Sequence, residues 1–161
     1  MTLRAGLVTA LLVLVLDQAL KSWALAALAP GAAVPLIGHA EAGLSAMRVL
    51  NPGIFFGTLL PADGWPRFMV LTLVVLVAVF MLLRMLRSRW LVLNIGRGAV
   101  VGGAASNLAD RMGRGAVVDY LVVRRGDVGF AFNLADIAVV AGGVLMMGWA
   151  LSYALSTRRA A

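Results

Sequence analysis

The chain has 161 residues, 62% hydrophobic and 13% charged, with a net charge of +7 at pH 7. The length suits one domain, and apolar runs long enough to cross a bilayer place it in a membrane rather than in solution. The absence of cysteine excludes disulfides, thiol nucleophiles and thiolate metal sites, and the single histidine, His39, cannot build a histidine metal site alone.

The positive charge does not point to nucleic acid. Basic residues sit mostly at the ends of apolar segments, where membrane topology and anionic headgroups account for them. No basic patch is interleaved with aromatics in the way that holds single strands. Lysine occurs once, at Lys21, against thirteen arginines.

In chain order, the first apolar segment covers residues 4–29. Its opening part, 5–16, resembles the core of a signal peptide. Apolar character resumes after Lys21, so a retained span carrying Asp17 and Lys21 is expected. These two are four apart and share one helix face. Ionisable groups in a span cost roughly 2.5–3.5 kcal/mol each and face the bundle. They serve either as an internal ion pair that orients the helix or as direct positioners of a substrate.

Residues 30–64 form a polar connection with weak strand character over 44–50 and a turn at Asn51-Pro52-Gly53. A loop of that length is usually functional. The second apolar segment, 65–86, is nearly pure Val, Leu, Met and Phe and closes on Arg84, Arg87 and Arg89. The third, 90–108, contains Arg97 and a small-xxx-small pair, Gly98 and Gly102, which permits close helix approach. Residues 110–129 make a second polar connection. Its β-rich stretch 116–123, the turn Arg125-Gly126-Asp127 and the run 128–132 predict a small hairpin. The fourth segment covers 132–155.

Four spans put both termini on one side, together with Arg4, Arg84, Arg87, Arg89, Arg158 and Arg159. The positive-inside rule makes that side cytoplasmic. Both polar connections and the start of segment four then face outward. Trp65 and Trp90 fall at the expected interfaces.

Chemistry concentrates in residues 102–136, which hold four of the seven acids: Asp110, Asp119, Asp127 and Asp136. Asn107, Asp110 and Arg111 stand at i, i+3 and i+4 and can converge on one point. Such a fork suits a peptide backbone or a loop; a polar helix end is the plainer reading, with Asp110 neutralised between neighbouring elements. Asp136 lies one turn into the last span, on the face of Asn133. Asp119 sits in the β-rich stretch with no basic neighbour in sequence. Two carboxylates brought together in a partly dry site share a proton. One can then activate a water while the other protonates a scissile carbonyl. Spacing alone leaves open a structural pair, or an ion or proton path through Asp17, Asp119 and Asp136.

Five pieces, in order, carry a resemblance: LDQALK at 16–21, NPGIFFG at 51–57, GGAASNLADR at 102–111, VVDYL at 117–121 and FNLAD at 132–136. Together they resemble the lipoprotein signal peptidase (signal peptidase II) family of bacterial membrane aspartic peptidases. The resemblance implies an all-α membrane fold, four transmembrane helices with a small extracytoplasmic β-platform. It implies Asp119 and Asp136 as the catalytic dyad, Asn51, Asn107, Arg111 and Asn133 lining the substrate cleft, and Asp17, Lys21 and Asp110 in support. No metal or cofactor is expected. The implied substrate is a prolipoprotein carrying diacylglyceryl on the cysteine after the cleavage site, met by a monomer in the bacterial inner membrane among its lipids. A family member that binds lipoproteins without cutting them is the remaining alternative. Two departures bear on cleft shape and substrate range: bulky Ile54-Phe55 in the second piece, and Ser106 where a glycine is common.

Overall fold

The computed structural model describes residues 1–39, 42–52 and 65–159. Four long helices and four strands follow one another as α1 (Thr2–Ala27), β1 (Ala33–His39), β2 (Ala42–Asn51), α2 (Trp65–Arg87), α3 (Leu91–Gly113), β3 (Val117–Arg125), β4 (Val128–Phe132) and α4 (Leu134–Arg159). The strands form one antiparallel sheet in the order β1-β2-β3-β4.

The helices follow from apolar composition, but their outer faces are not covered by protein. Leu11, Leu12 and Val15 on α1, Leu73, Leu76 and Phe80 on α2, and Val140, Met147 and Leu151 on α4 are all exposed. Apolar surface of that extent suits contact with lipid. By length and composition α1 and α4 are each able to cross a membrane. α3 is different, because most of its residues between Leu93 and Gly103 are buried.

Glycines let α3 sit in the middle. A Cβ on Gly98 would strike the carbonyl of Gly6, and one on Gly102 would strike that of Ala10, so α1 crosses α3 backbone to backbone. Gly103 meets the Ala135 carbonyl on the α4 side. The Gly98–Gly102 pair expected from sequence therefore serves the α1 contact, as small residues do where dispersion must replace the hydrophobic effect.

α3 outruns its expected end at 108 and continues to Gly113. Apolarity marks only the part of a helix that tolerates lipid. The last turn stays helical because its polar side chains find internal partners. α4 likewise begins at Leu134 and continues to Arg159.

The sheet is larger than the hairpin and single weak strand expected from sequence. β1 lies within the stretch read as plain connection. It contains Pro35, which cannot donate to a ladder, and β1 is an edge strand where that is tolerated. The β3–β4 hairpin closes through Gly126-Asp127, with Gly126 at φ 58° and Arg125 paired to Val128.

β2 carries an irregularity between Ala46 and Val49, where three steps on β2 match two on β3. Such a bulge re-aims side chains, and bulges gather beside active sites. Here Arg48, within it, donates to the Leu25 carbonyl at 3.2 Å, so the sheet grips the last turn of α1. Ala24, Leu28, Ala46 and Tyr120 pack there as the core joining α1 to the sheet. The second piece of the family pattern, beyond Pro52, lies outside the described residues, and with it Ile54 and Phe55.

Candidate active site

The start of α4 is where the site is built. Asn133 precedes the helix, and its Oδ1 accepts the Asp136 N–H at 3.0 Å. Asp136 Oδ2 accepts the Asn133 N–H at 3.2 Å. This reciprocal pair is a capping box made from Asn and Asp, satisfying helix-end donors that would otherwise lack partners. The same geometry fixes the Asp136 carboxylate at a helix N-terminus, where negative charge is stabilised.

The next two free N–H groups of α4 are met from elsewhere. Leu134 donates to the Tyr120 hydroxyl at 2.9 Å, and Ala135 donates to Asp17 Oδ1 at 3.1 Å. Tyr120 in turn donates to Asp17 Oδ1 at 3.1 Å, and burial pushes its hydroxyl pKa upward. Strand β3 and helix α1 thus hold the first turn of α4.

Asp119 comes to this point because β3 alternates. Tyr120 points towards α1, and Asp119 points to the opposite face beside Asn51, which stands diagonally across on β2 opposite Val117. Asn51 Nδ2 donates to Asp119 Oδ2 at 3.1 Å, and Asn133 Nδ2 donates to Asp119 Oδ1 at 2.7 Å. Asn107, on α3, donates through Nδ2 to Asp136 Oδ1 at 2.8 Å. Asn133 Nδ2 also reaches Asn107 Oδ1 at 3.1 Å, so one amide links both halves.

The two carboxylates line one cavity of about 410 Å³ with Asn51, Asn107 and Arg111. Apolar side chains of α2, α3 and α4 supply most of the remaining wall, including Leu73, Val100 and Val139. Asp119 is only 1% exposed, whereas Asp136 is half-buried. Among the described residues, neither forms an ion pair. Burial pushes the Asp119 pKa up to about 6; the Asn51 amide resists, and the neighbouring Asp136 carboxylate adds to the rise.

Behind the cavity lies a buried cluster whose charges cancel. Lys21 Nζ pairs with Asp17 at 2.7 Å and Asp110 at 3.0 Å. Arg114 pairs with Asp110 as well. Lys21 also donates to Asn107 Oδ1 at 2.8 Å, which leaves the Asn107 Nδ2 turned towards Asp136. Asp110 Oδ2 accepts the Val118 N–H at 3.0 Å, fixing the start of β3. The sharing of a helix face by Asp17 and Lys21 is realised as an ion pair, and Lys21 reaches the cavity only through Asn107.

Asn107, Asp110 and Arg111 do not converge on one point; Asp110 follows the plainer reading and is neutralised between neighbouring elements. Asp110 turns to α1 and pairs with Lys21 and Arg114. Asn107 faces the carboxylates, and Arg111 stands on the cavity wall, donating to the Asn107 carbonyl at 3.4 Å. Sidedness explains the split, since Asp110 lies on the α1 face and is fully buried. Sequence reading also passed over Tyr120, Gln18 and Arg114. Arg114 was legible as i+4 from Asp110. Ser106 was noted only as a departure. Its hydroxyl donates to Asp17 at 2.6 Å and accepts from Gln18 at 3.0 Å, work that a glycine cannot do.

Comparison with known proteins gives this geometry its context. The family model described as signal peptidase (SPase) II matches residues 9–152. The chain belongs to the signal peptidase II family. Its activity is that of an aspartic endopeptidase removing signal peptides from prolipoproteins. The lipoprotein signal peptidase of Pelotomaculum thermopropionicum is 39% identical over 86% of this chain and 86% of its own length. That of Syntrophomonas wolfei is 38% identical over 85% of this chain and 86% of its own. A solved bacterial membrane enzyme shares the fold, with a TM-score of 0.77 at 22% identity, over 91% of this chain and 87% of that one. A peptidase family replaces the ion-path reading of Asp17, Asp119 and Asp136, and it places the chain among bacterial membrane enzymes.

Proposed function

We propose that Asp119 and Asp136 are the catalytic dyad of this signal peptidase. One observation carries the assignment. These two carboxylates share a cavity and, among the described residues, are held only by amide donors, while Asp17 and Asp110 are each neutralised by cations. Asp119, the more deeply buried, holds the shared proton; Asp136, the more accessible, is the base.

The reaction follows from that distribution. Asp136 takes a proton from water as its oxygen attacks the scissile carbonyl carbon, and Asp119 gives its proton to the carbonyl oxygen. The tetrahedral diol collapses when a hydroxyl proton returns to Asp119 and Asp136 protonates the leaving nitrogen. The C–N bond breaks, the signal peptide leaves with a carboxyl terminus, and the cysteine amine is freed. Asn107 and Asn133 keep both carboxylates aimed at one water. Asn51 and Arg111 are positioned to hold the peptide backbone.

The preferred substrate is the precursor already carrying diacylglyceryl, because apolar side chains of α2, α3 and α4 line the cavity and exposed Leu73 and Val140 flank it. Four spans, cytoplasmic termini and an outward-facing sheet complete the reading, with one chain supplying every site residue and acting as a monomer. The test is cleavage of a lipid-modified precursor by Asp119→Asn and Asp136→Asn. Each should lose on the order of 10²-fold or more in rate while remaining folded. In the same assay the precursor without its lipid should be cut poorly, and equal cutting would remove the lipid-recognition part.

A further inference from the structure

A second cavity of about 410 Å³ lies near the other end of α3. Arg97 on its wall precedes Asn107 by ten residues, about 15 Å along the helix. Arg84 and Arg87 from α2, Arg89, Trp90 and Trp149 complete the part of the lining that matters. Arginines at the end of an apolar helix mark a cytoplasmic boundary, and Arg84, Arg87 and Arg89 alone say no more than that.

Arg97 does say more. It lies within α3 and is only 7% exposed, unlike a topological charge that reaches out to water. Its Nη1 donates to the Arg84 carbonyl at 3.3 Å and to Asn94 Oδ1 at 3.1 Å. Both acceptors are neutral. Among the described residues no carboxylate pairs with Arg97, and no acid lines the cavity. Nη2 and Nε make no hydrogen bond to described residues. A buried cation without a counter-charge is costly, and here three more arginines surround it.

The surroundings indicate what kind of anion would fit. Trp90 and Trp149 pack with ring centroids 5.1 Å apart, and Tyr153 stacks on Trp149 at 5.2 Å. Aromatic rings of this sort sit at headgroup level. Leu86, Leu91 and Val92, sequence neighbours of the lining residues, are exposed apolar surface suited to an acyl chain. Guanidinium groups present paired donors to phosphate oxygens, and basic pockets between helices on the cytoplasmic side take lipid headgroups.

We propose that this cavity binds the phosphate headgroup of an anionic glycerophospholipid from the surrounding leaflet. Arg97 is its inner ligand, and Arg84, Arg87 and Arg89 enclose it. The site is separate from the dyad and independent of the assignment made there.

The test uses the full chain in non-ionic detergent with equal amounts of phosphatidylglycerol and phosphatidylcholine, read by native mass spectrometry. One phosphatidylglycerol should be retained per chain in preference to phosphatidylcholine. Arg97→Gln should lower retention at least tenfold. Arg87→Gln, at an exposed position that does not threaten the fold, should lower it several-fold. Arg4→Gln removes an equal charge outside the cavity and should change nothing. Precursor cleavage by each variant verifies that it is folded. Equal retention of the two lipids, or unchanged retention in Arg87→Gln and Arg97→Gln, would overturn the proposal. Displacement of the lipid by millimolar inorganic phosphate would overturn the lipid assignment in favour of a free-phosphate site.

Discussion

At the scale of residues, the site depends on which carboxylates are left uncompensated. Lys21 and Arg114 neutralise Asp17 and Asp110, whereas among the described residues Asp119 forms no ion pair and its burial outweighs the more distant pull of Lys21. Its pKa of about 6, against an ordinary 3.8, sets two pH effects. Protonated Asp119 is the acid, so kcat/KM should fall as pH rises through about 6. Substrate closing the cavity removes more water and raises that pKa further, so the alkaline limb of kcat should lie at higher pH than that of kcat/KM. A raised native pKa contributes stability at low pH that is lost as pH rises through it. The stability of the wild type relative to Asp119→Asn should therefore decline between about pH 3.8 and 6 and level off above. A pH-rate profile and melting temperatures across that range measure both, and a kcat/KM that rises through pH 6 would reverse the acid and base roles.

The first turn of α4 shows how one element carries both fold and chemistry. The Asn133–Asp136 spacing caps the helix and aims a carboxylate in the same stroke. Asn133→Ala should cost about 1 kcal/mol of stability, as lost caps do. It should also lower kcat, because the Asp119 and Asn107 bonds go with it. Asn133→Ser retains a good cap and should restore stability without restoring kcat. Recovery of both would mean that Asn133 acts only as a cap. The spacing itself was readable in sequence, as were the hairpin and the glycine pair of α3. β1 was not, because an edge strand with Pro35 and Gly38 lacks the β-branched alternation that signals a strand. Nor were the partners that neutralise Asp110, since i, i+3 and i+4 spacing gives a common side of a helix but not what packs there. Tyr120 was hidden for a related reason: alternation along β3 sends it to the helix side, and nothing local reveals Asp17 waiting there.

Across the whole molecule, the sheet and the dyad cluster near one end of the bundle, and the arginine cavity lies near the other. The orientation proposed from charge would put the arginine end inside and the chemistry outside. It can be measured directly because the chain has no cysteine. Asp127→Cys, in the β3–β4 turn, should react with an impermeant maleimide on intact spheroplasts. Ser156→Cys, near the end of α4, should react only after permeabilisation. The reverse pattern would invert the proposed topology.

The dyad itself is tested most directly by single-turnover cleavage of a lipid-modified precursor with wild type, Asp119→Asn, Asp136→Asn and the double variant. Groups acting as one unit lose their effect together. Each single variant should lose on the order of 10²-fold or more in rate, and the double variant should be little worse than either. Losses that multiply would mean that the two carboxylates work separately, and near wild-type cleavage by either single variant would contradict the assignment outright.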